Sequence, residues 1–120
     1  MVLGTQAQRV SLSPQEFEEA LQEYKELGQP FVLLDVRTPS EYKSGHLEGA
    51  ILLNWQAPDF KERFKDMNIA KDVPLLVYCY RGGRSAEAAN YLKEQGYNQV
   101  IDMKGGIYEW QKSGLPVTRK

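Results

Sequence analysis

The middle of the chain reads Leu75-Leu76-Val77-Tyr78-Cys79-Tyr80-Arg81-Gly82-Gly83-Arg84-Ser85. Its first four residues are apolar or aromatic. They predict a strand covered on both faces, because a strand with one solvent face alternates apolar and polar residues. A glycine-containing loop follows, and then a predicted helix over residues 85–95 with Ala88, Ala89 and Leu92 on one side. A buried strand, a short loop and a helix form the repeating unit of a parallel sheet.

The same alternation extends in both directions from this stretch. Further apolar runs predict strands at residues 31–35, 50–53 and 100–101. Two segments combine a capping hydroxyl, a proline at the first helical position and a glutamate three residues after the cap: Ser13-Pro14-Gln15-Glu16 and Thr38-Pro39-Ser40-Glu41. The first predicts a helix over residues 14–27, and the second predicts one or two helical turns. With a short helix after Gly105-Gly106, this order predicts an α/β fold with helices on both faces of a parallel sheet.

The composition excludes several classes of protein. The chain has 120 residues, which favours one domain over residues 1–120, and 15 Lys and Arg against 16 Asp and Glu leave a net charge of -1. This balance gives no overall field for binding nucleic acid or an anionic membrane. One cysteine and one histidine exclude an internal disulfide and the usual zinc sites. No apolar run approaches the roughly 20 residues that span a bilayer, so we expect a cytoplasmic protein. We also expect that it is a monomer and binds no metal.

Cys79 is the candidate nucleophile. A lone cysteine is usually a small buried apolar residue. This one lies at the carboxyl end of a strand, where parallel sheets bind ligands, and before Gly82 and Gly83, which let backbone N–H groups turn inward on an anion. The positive end of the next helix and the charges of Arg81 and Arg84 also stabilise a thiolate. The pattern predicts a nucleophilic thiolate beside a seat for an anionic substrate.

Three other polar features are interpreted as structural. His46 is the only histidine, and nothing in the sequence places it near Cys79, so a hydrogen-bonded structural role is favoured over a cysteine–histidine dyad. Asp35 and Arg37 stand where a predicted strand ends and are expected at the rim of the pocket. A buried ion pair that orders the loop is favoured there over direct catalysis. The charges of both signs in residues 61–71 indicate a solvated helix face.

Three stretches of the sequence resemble the signatures of the rhodanese domain family, whose members are sulfurtransferases. The upstream signature is matched by Leu34-Asp35-Val36-Arg37, Glu41-Tyr42, Gly45-His46-Leu47, Gly49-Ala50 and Asn54. The active-site loop is matched by Cys79 to Ser85, and the C-terminal motif by Gly105-Gly106, Trp110, Gly114 and Pro116. These stretches occur in the family's order, and the resemblance covers nearly the whole chain.

The resemblance implies a rhodanese-like three-layer fold with a central parallel sheet of about five strands. It also implies that Cys79 takes the outer sulfur of a donor to form a persulfide, which a thiophilic acceptor removes without a cofactor. The residues expected to bind the substrate are those of the loop: Tyr80, Arg81, Gly82, Gly83, Arg84 and Ser85. The expected donor is a small anion such as thiosulfate, and the acceptor is cyanide, a thiol or a protein. Asp35 and Arg37 are expected to form ion pairs that shape the pocket.

Two alternatives to a thiosulfate sulfurtransferase are considered. One is a carrier or interaction module that receives a persulfide from a protein and passes it to a partner. The two loop arginines favour the enzyme, because they compensate a small dianion. The other is a phosphatase or arsenate reductase, whose anion loop in this fold has one more residue. Only four residues, Tyr80 to Gly83, separate Cys79 from Arg84, and this smaller cradle favours sulfur over a tetrahedral phosphate.

Overall fold

The computed structural model describes residues 8–120, so residues 1–7 of the predicted domain lie outside the described part. Within it, the strands are β1 Gln8–Leu12, β2 Val32–Asp35, β3 Ile51–Leu52, β4 Leu75–Tyr78 and β5 Gln99–Met103. The helices are α1 Pro14–Leu27, α2 Pro39–Ser44, α3 Phe60–Asp66, α4 Gly83–Glu94 and α5 Gly106–Lys112. The strands form one parallel sheet in the order β1-β5-β4-β2-β3. This confirms the predicted α/β fold with a parallel sheet of five strands.

The sheet separates two apolar cores, which makes three layers. Alternate residues of β4 point to opposite faces: Leu75 and Val77 join the core beneath α3 and α4, while Leu76 and Tyr78 join the core beneath α1 and α5. All four side chains are fully buried. Burial of one such side chain contributes about 1.5–3 kcal/mol to folding. The strand that carries Cys79 at its end is therefore fixed from both sides.

The two predicted helix starts are present. Ser13 and Thr38 each accept the backbone N–H of the glutamate three residues later, and that glutamate accepts the cap's own N–H. The helix α1 ends at Gly28, whose φ of 66° is in the left-handed region that glycine adopts without steric cost. Local capping chemistry is therefore sufficient to set these boundaries.

Strand β1 was not among the strands predicted from apolar runs, and three predicted elements differ clearly from the structure. The strand predicted at residues 50–53 is reduced to β3, which lies at the edge of the sheet, and Ile51 there is 45% exposed. The helix predicted from residue 85 begins at Gly83, since Gly82 adopts the left-handed turn that starts it. The charged segment 61–71 is helical only to Asp66, and within it Phe64 is buried.

No helix within residues 8–120 is both long enough and apolar enough to cross a bilayer.

Candidate active site

Cys79 lies immediately after β4, where the chain leaves the centre of the sheet. Its side chain is buried, with only 1% of the residue exposed, and its Sγ accepts the backbone N–H of Gly82 at 3.0 Å. The chain folds back over the sulfur because Gly82 has a φ of 112°, a conformation that L side chains rarely adopt. The loop thus places a backbone dipole on the sulfur, and such a bond stabilises the thiolate.

The first turn of α4 provides further donors beside this sulfur. The N–H groups of Gly83, Arg84 and Ser85 belong to the turn whose donors have no partner within the helix. In the described chain no side chain caps this end of α4. The positive end of the helix dipole is therefore directed at the loop, where it favours a negative charge.

The floor of the loop is the N-terminus of α5. Ile107 donates its N–H to the Cys79 carbonyl at 2.9 Å, and Tyr108 donates to the Tyr80 carbonyl at 3.0 Å. This approach requires Gly106, which has a φ of 64°: a Cβ atom there would overlap the Tyr80 carbonyl and lie 2.6 Å from the Cys79 carbonyl oxygen. In the sequence, Gly105-Gly106 resembled part of the family's C-terminal motif, and nothing there showed that Gly106 contacts the cysteine loop.

Arg84 does not point into the loop but towards α2. Its Nη1 and Nη2 donate to Oε1 and Oε2 of Glu41 at 2.8 and 3.0 Å. The hydrogen bonds from Arg84 hold the pKa of Glu41 at about 2, and the same bonds raise the pKa of Arg84, with the charges of Glu41 and Cys79 acting in the same direction. The expected compensation of a dianion by both loop arginines is therefore reduced, because Arg84 already has a counter-charge. Sequence patterns did not identify Glu41 as this partner.

Arg81 is exposed and rests on aromatic rings. Its Cζ lies 4.0 Å from the centre of the Tyr108 ring and 5.5 Å from that of Tyr80, and the two rings meet edge to face at 5.7 Å. Within residues 8–120 no carboxylate forms a salt bridge with Arg81. Arg81 therefore brings a positive charge to the mouth of the loop without a counter-charge from this part of the chain.

Ser85 lies below the loop with its side chain fully buried. Its hydroxyl donates to Asp102 Oδ1 at 2.6 Å and is 3.3 Å from the Gly82 carbonyl oxygen. This hydroxyl ties the start of α4 to β5. The backbone N–H of Ser85 belongs to the first turn of α4, whose donors have no partner within the helix.

Asp35 and Arg37 form the buried ion pair that the sequence favoured. Arg37 donates to both carboxylate oxygens at 2.9 and 2.7 Å and also to the Gly45 carbonyl at 2.7 Å. Tyr78 donates its hydroxyl to Asp35 Oδ2 at 2.7 Å and accepts the N–H of Leu47 at 3.1 Å. Burial and the Asp35 charge raise the pKa of Tyr78, so its hydroxyl stays protonated. This network fixes the ends of β2 and β4, one residue before Cys79.

His46 has the hydrogen-bonded structural role predicted for it. It is buried, its ring stacks on Tyr42 at 3.7 Å, and its two ring nitrogens lie 2.8 and 3.0 Å from the carbonyl oxygens of Tyr42 and Lys120. In the described part of the chain, no three histidine, cysteine or acidic side chains cluster as metal ligands. The chemistry available at the loop is that of a cysteine surrounded by N–H donors.

Comparison with known proteins agrees with this geometry. Residues 13–113 match the family model of the rhodanese-like domain. A sulfurtransferase of Allochromatium vinosum is 37% identical over 86 residues, covering 72% of this chain and 77% of that protein. The thiosulfate sulfurtransferase GlpE of Tolumonas auensis is 39% identical over 80 residues, covering 66% and 71%.

Solved structures give the same result. A rhodanese-related protein from Thermoplasma volcanium has a TM-score of 0.76 and 28% identity, covering 92% of this chain and 99% of that one. The polysulfide-sulfur transferase homodimer of Wolinella succinogenes has a TM-score of 0.74 and 26% identity, covering 92% and 78%. The cysteine loop, the parallel sheet and these matches together assign the chain to the rhodanese-like domain family, a family of sulfurtransferases.

Proposed function

We propose that this protein is a sulfurtransferase that moves the outer sulfur of thiosulfate, or of a similar anionic donor, to a thiophilic acceptor through a persulfide on Cys79. The observation that carries the proposal is the 3.0 Å hydrogen bond from Gly82 N–H to Cys79 Sγ, at a buried position beside the uncapped end of α4. This arrangement stabilises a sulfur anion without a neighbouring base.

In the first half-reaction the Cys79 thiolate attacks the outer sulfur of thiosulfate. A new S–S bond forms between Cys79 and that sulfur, the S–S bond of thiosulfate breaks, and its electron pair leaves with sulfite. The product is the Cys79 persulfide anion, so the total charge is unchanged. The N–H groups at the start of α4 have no side-chain cap, so they can donate hydrogen bonds to this anion.

In the second half-reaction an acceptor such as cyanide attacks the outer persulfide sulfur. Its S–S bond to Cys79 breaks, the electron pair returns to the Cys79 thiolate, and thiocyanate leaves. A thiol acceptor reacts as its thiolate in the same way and becomes a persulfide itself. Neither step changes the number of protons on the protein or requires a cofactor.

The anionic donor is supported by the positive features of the loop. Arg81 is exposed and lacks a carboxylate partner among the described residues, and the dipole of α4 adds a positive end. A relative with 39% identity is named a thiosulfate sulfurtransferase. The spacing of four residues between Cys79 and Arg84 also favours a small donor over a phosphate ester.

The test uses the purified protein and its Cys79→Ser variant. Incubation with thiosulfate should increase the mass of the intact protein by one sulfur atom, and cyanide should then remove that sulfur as thiocyanate. The variant, which keeps the size of the side chain, should do neither while its thermal unfolding midpoint stays close to that of the parent. Full transfer by the serine variant would refute the proposal.

The same experiment separates the enzyme from a persulfide carrier. An enzyme that uses free donors should turn over many times with thiosulfate and either cyanide or a small thiol. A carrier should accept sulfur once and release it at a useful rate only to a protein partner. Size-exclusion chromatography of the same sample checks the expected monomer.

A further inference from the structure

Tyr108 is the residue of α5 that approaches the cysteine loop in two ways. Its backbone N–H donates to the Tyr80 carbonyl at 3.0 Å, and its ring lies 4.0 Å from the Arg81 Cζ. The backbone bond sets the position of the ring relative to Cys79, because Gly106 leaves no space between α5 and the loop.

The contact with the ring positions Arg81 without using its hydrogen-bond donors. A guanidinium that stacks on an aromatic face keeps its five N–H groups in its own plane, where they stay available to an anion. A salt bridge would instead occupy two donors and cancel the charge, as Glu41 does for Arg84 at 2.8 and 3.0 Å. Among the described residues, Arg81 makes no such bridge.

We propose that Tyr108 is a positioning residue that holds the Arg81 guanidinium at the mouth of the loop, so that the site selects sulfur donors by their negative charge. The proposal rests on the function proposed above and names the group that gives it donor specificity. This fixed positive charge attracts a dianion such as thiosulfate more strongly than a monoanionic thiosulfonate, since the attraction grows with the charge of the donor.

The kinetic test compares Tyr108→Leu with Tyr108→Phe. Leucine keeps an apolar side chain but has no aromatic face, whereas phenylalanine keeps the face. Tyr108→Leu should raise the KM for thiosulfate by about two- to fivefold, the range expected for a cation–π contact at an exposed site. It should change the KM for benzenethiosulfonate less and leave kcat close to its original value. Tyr108→Phe should keep the KM for thiosulfate close to that of the parent protein.

A double-mutant cycle separates positioning from simple packing. If Tyr108 acts through Arg81, then Tyr108→Leu should have no further effect on the KM in an Arg81→Ala protein. An equal effect in both backgrounds would overturn the proposal, as would an unchanged KM in the single variant. Tyr91→Leu is the matched control. The Tyr91 ring also contacts a cation, since its centre lies 5.1 Å from Lys61 Nζ, but Tyr91 is about two helical turns from the start of α4, away from the loop.

A binding measurement tests the inference without turnover. Sulfate is an inert dianion, and its protection of Cys79 against alkylation by iodoacetamide reports binding at the loop. The sulfate concentration that halves the alkylation rate should rise about two- to fivefold in Tyr108→Leu and stay unchanged in Tyr108→Phe. No protection of the parent protein, or the same midpoint in Tyr108→Leu, would overturn the role of Tyr108. Protection in a protein that transfers no sulfur would instead refute the proposed function alone. If Tyr108→Leu does not fold, Tyr108→Gln gives the same comparison.

Discussion

Arg84 of the cysteine loop and Glu41 of α2 form a two-point salt bridge, with N–O distances of 2.8 and 3.0 Å. The same carboxylate accepts the N–H of Thr38 at 3.0 Å and thereby completes the cap of α2. One side chain therefore joins a helix start to the loop that carries Cys79. Arg84, one of the two loop arginines expected to compensate an anionic donor, therefore links the loop to α2.

This link predicts a specific loss of stability in acid. The pKa of Glu41 is held at about 2, below its ordinary value of 4.5, chiefly by the hydrogen bonds from Arg84. A carboxylate whose pKa is depressed by folding stabilises the folded state above the unfolded pKa, and this contribution disappears as the pH falls from about 4.5 to about 2. The difference in thermal midpoint between the parent and Glu41→Gln should therefore be present at pH 6 and shrink over that range.

Arg84→Met provides the control for this pH dependence. It removes the same pair from the other side, so combining it with Glu41→Gln should add little to the loss at pH 6. Additive losses at pH 6, or a difference between the parent and Glu41→Gln that is constant from pH 6 to pH 2, would show that the salt bridge does not link the loop to α2.

A second prediction concerns the buried hydroxyl of Tyr78. It donates to Asp35 and accepts from Leu47, so Tyr78→Phe leaves the buried Leu47 N–H without its partner and removes a donor from the carboxylate. The free energy of unfolding in urea should fall by about 1–3 kcal/mol. Tyr24→Phe is the matched control, since its hydroxyl makes an exposed bond to Gln99 at 3.3 Å. The control should change stability by less than about 0.5 kcal/mol, and equal losses in both variants would contradict the importance of burial.

Local patterns predicted most of the elements and the position of Cys79 at the end of a strand. The capping boxes at Ser13 and Thr38 fixed two helix starts, and the apolar run before Cys79 fixed the central strand, because each depends on residues within one or two turns of each other.

Contacts between distant segments could not be predicted in the same way. Glu41 and Arg84 are 43 residues apart, and Ser85 and Asp102 are 17 apart, so their pairing depends on how α2, α4 and β5 pack. The sequence also gave no order for the strands. It therefore could not show that Ile51 lies on an edge strand, where its side chain is exposed.

A third prediction tests the floor of the loop through Gly106. A Cβ at this position would overlap the Tyr80 carbonyl, and its φ of 64° already disfavours any other residue. Gly106→Ala should displace the loop from α5, lower sulfur transfer by more than about tenfold and cost at least about 1–3 kcal/mol of stability. Gly114→Ala is the control for backbone strain alone, because Gly114 has a φ of 82° and open space around its Cβ position. Its transfer rate should stay near that of the parent, and a comparable loss would show that strain, not contact with the loop, controls activity.

The last prediction concerns the size of the loop. The Gly82 N atom lies 3.0 Å from Cys79 Sγ and four residues separate Cys79 from Arg84, so the loop closes as a small ring over the sulfur atom. One glycine inserted after Gly82 should enlarge this ring, remove the Gly82 turn from the start of α4 and abolish sulfur transfer, because productive geometry tolerates only about half an ångström. The matched control is one glycine inserted after Gly28, in the exposed turn that ends α1, which should leave transfer unchanged. Sulfur transfer by both variants is measured by the mass of the persulfide protein and by the release of thiocyanate. The parent should hydrolyse no aryl phosphate. Such hydrolysis, dependent on Cys79 and faster than transfer to cyanide, would replace sulfur chemistry with phosphate chemistry at this loop.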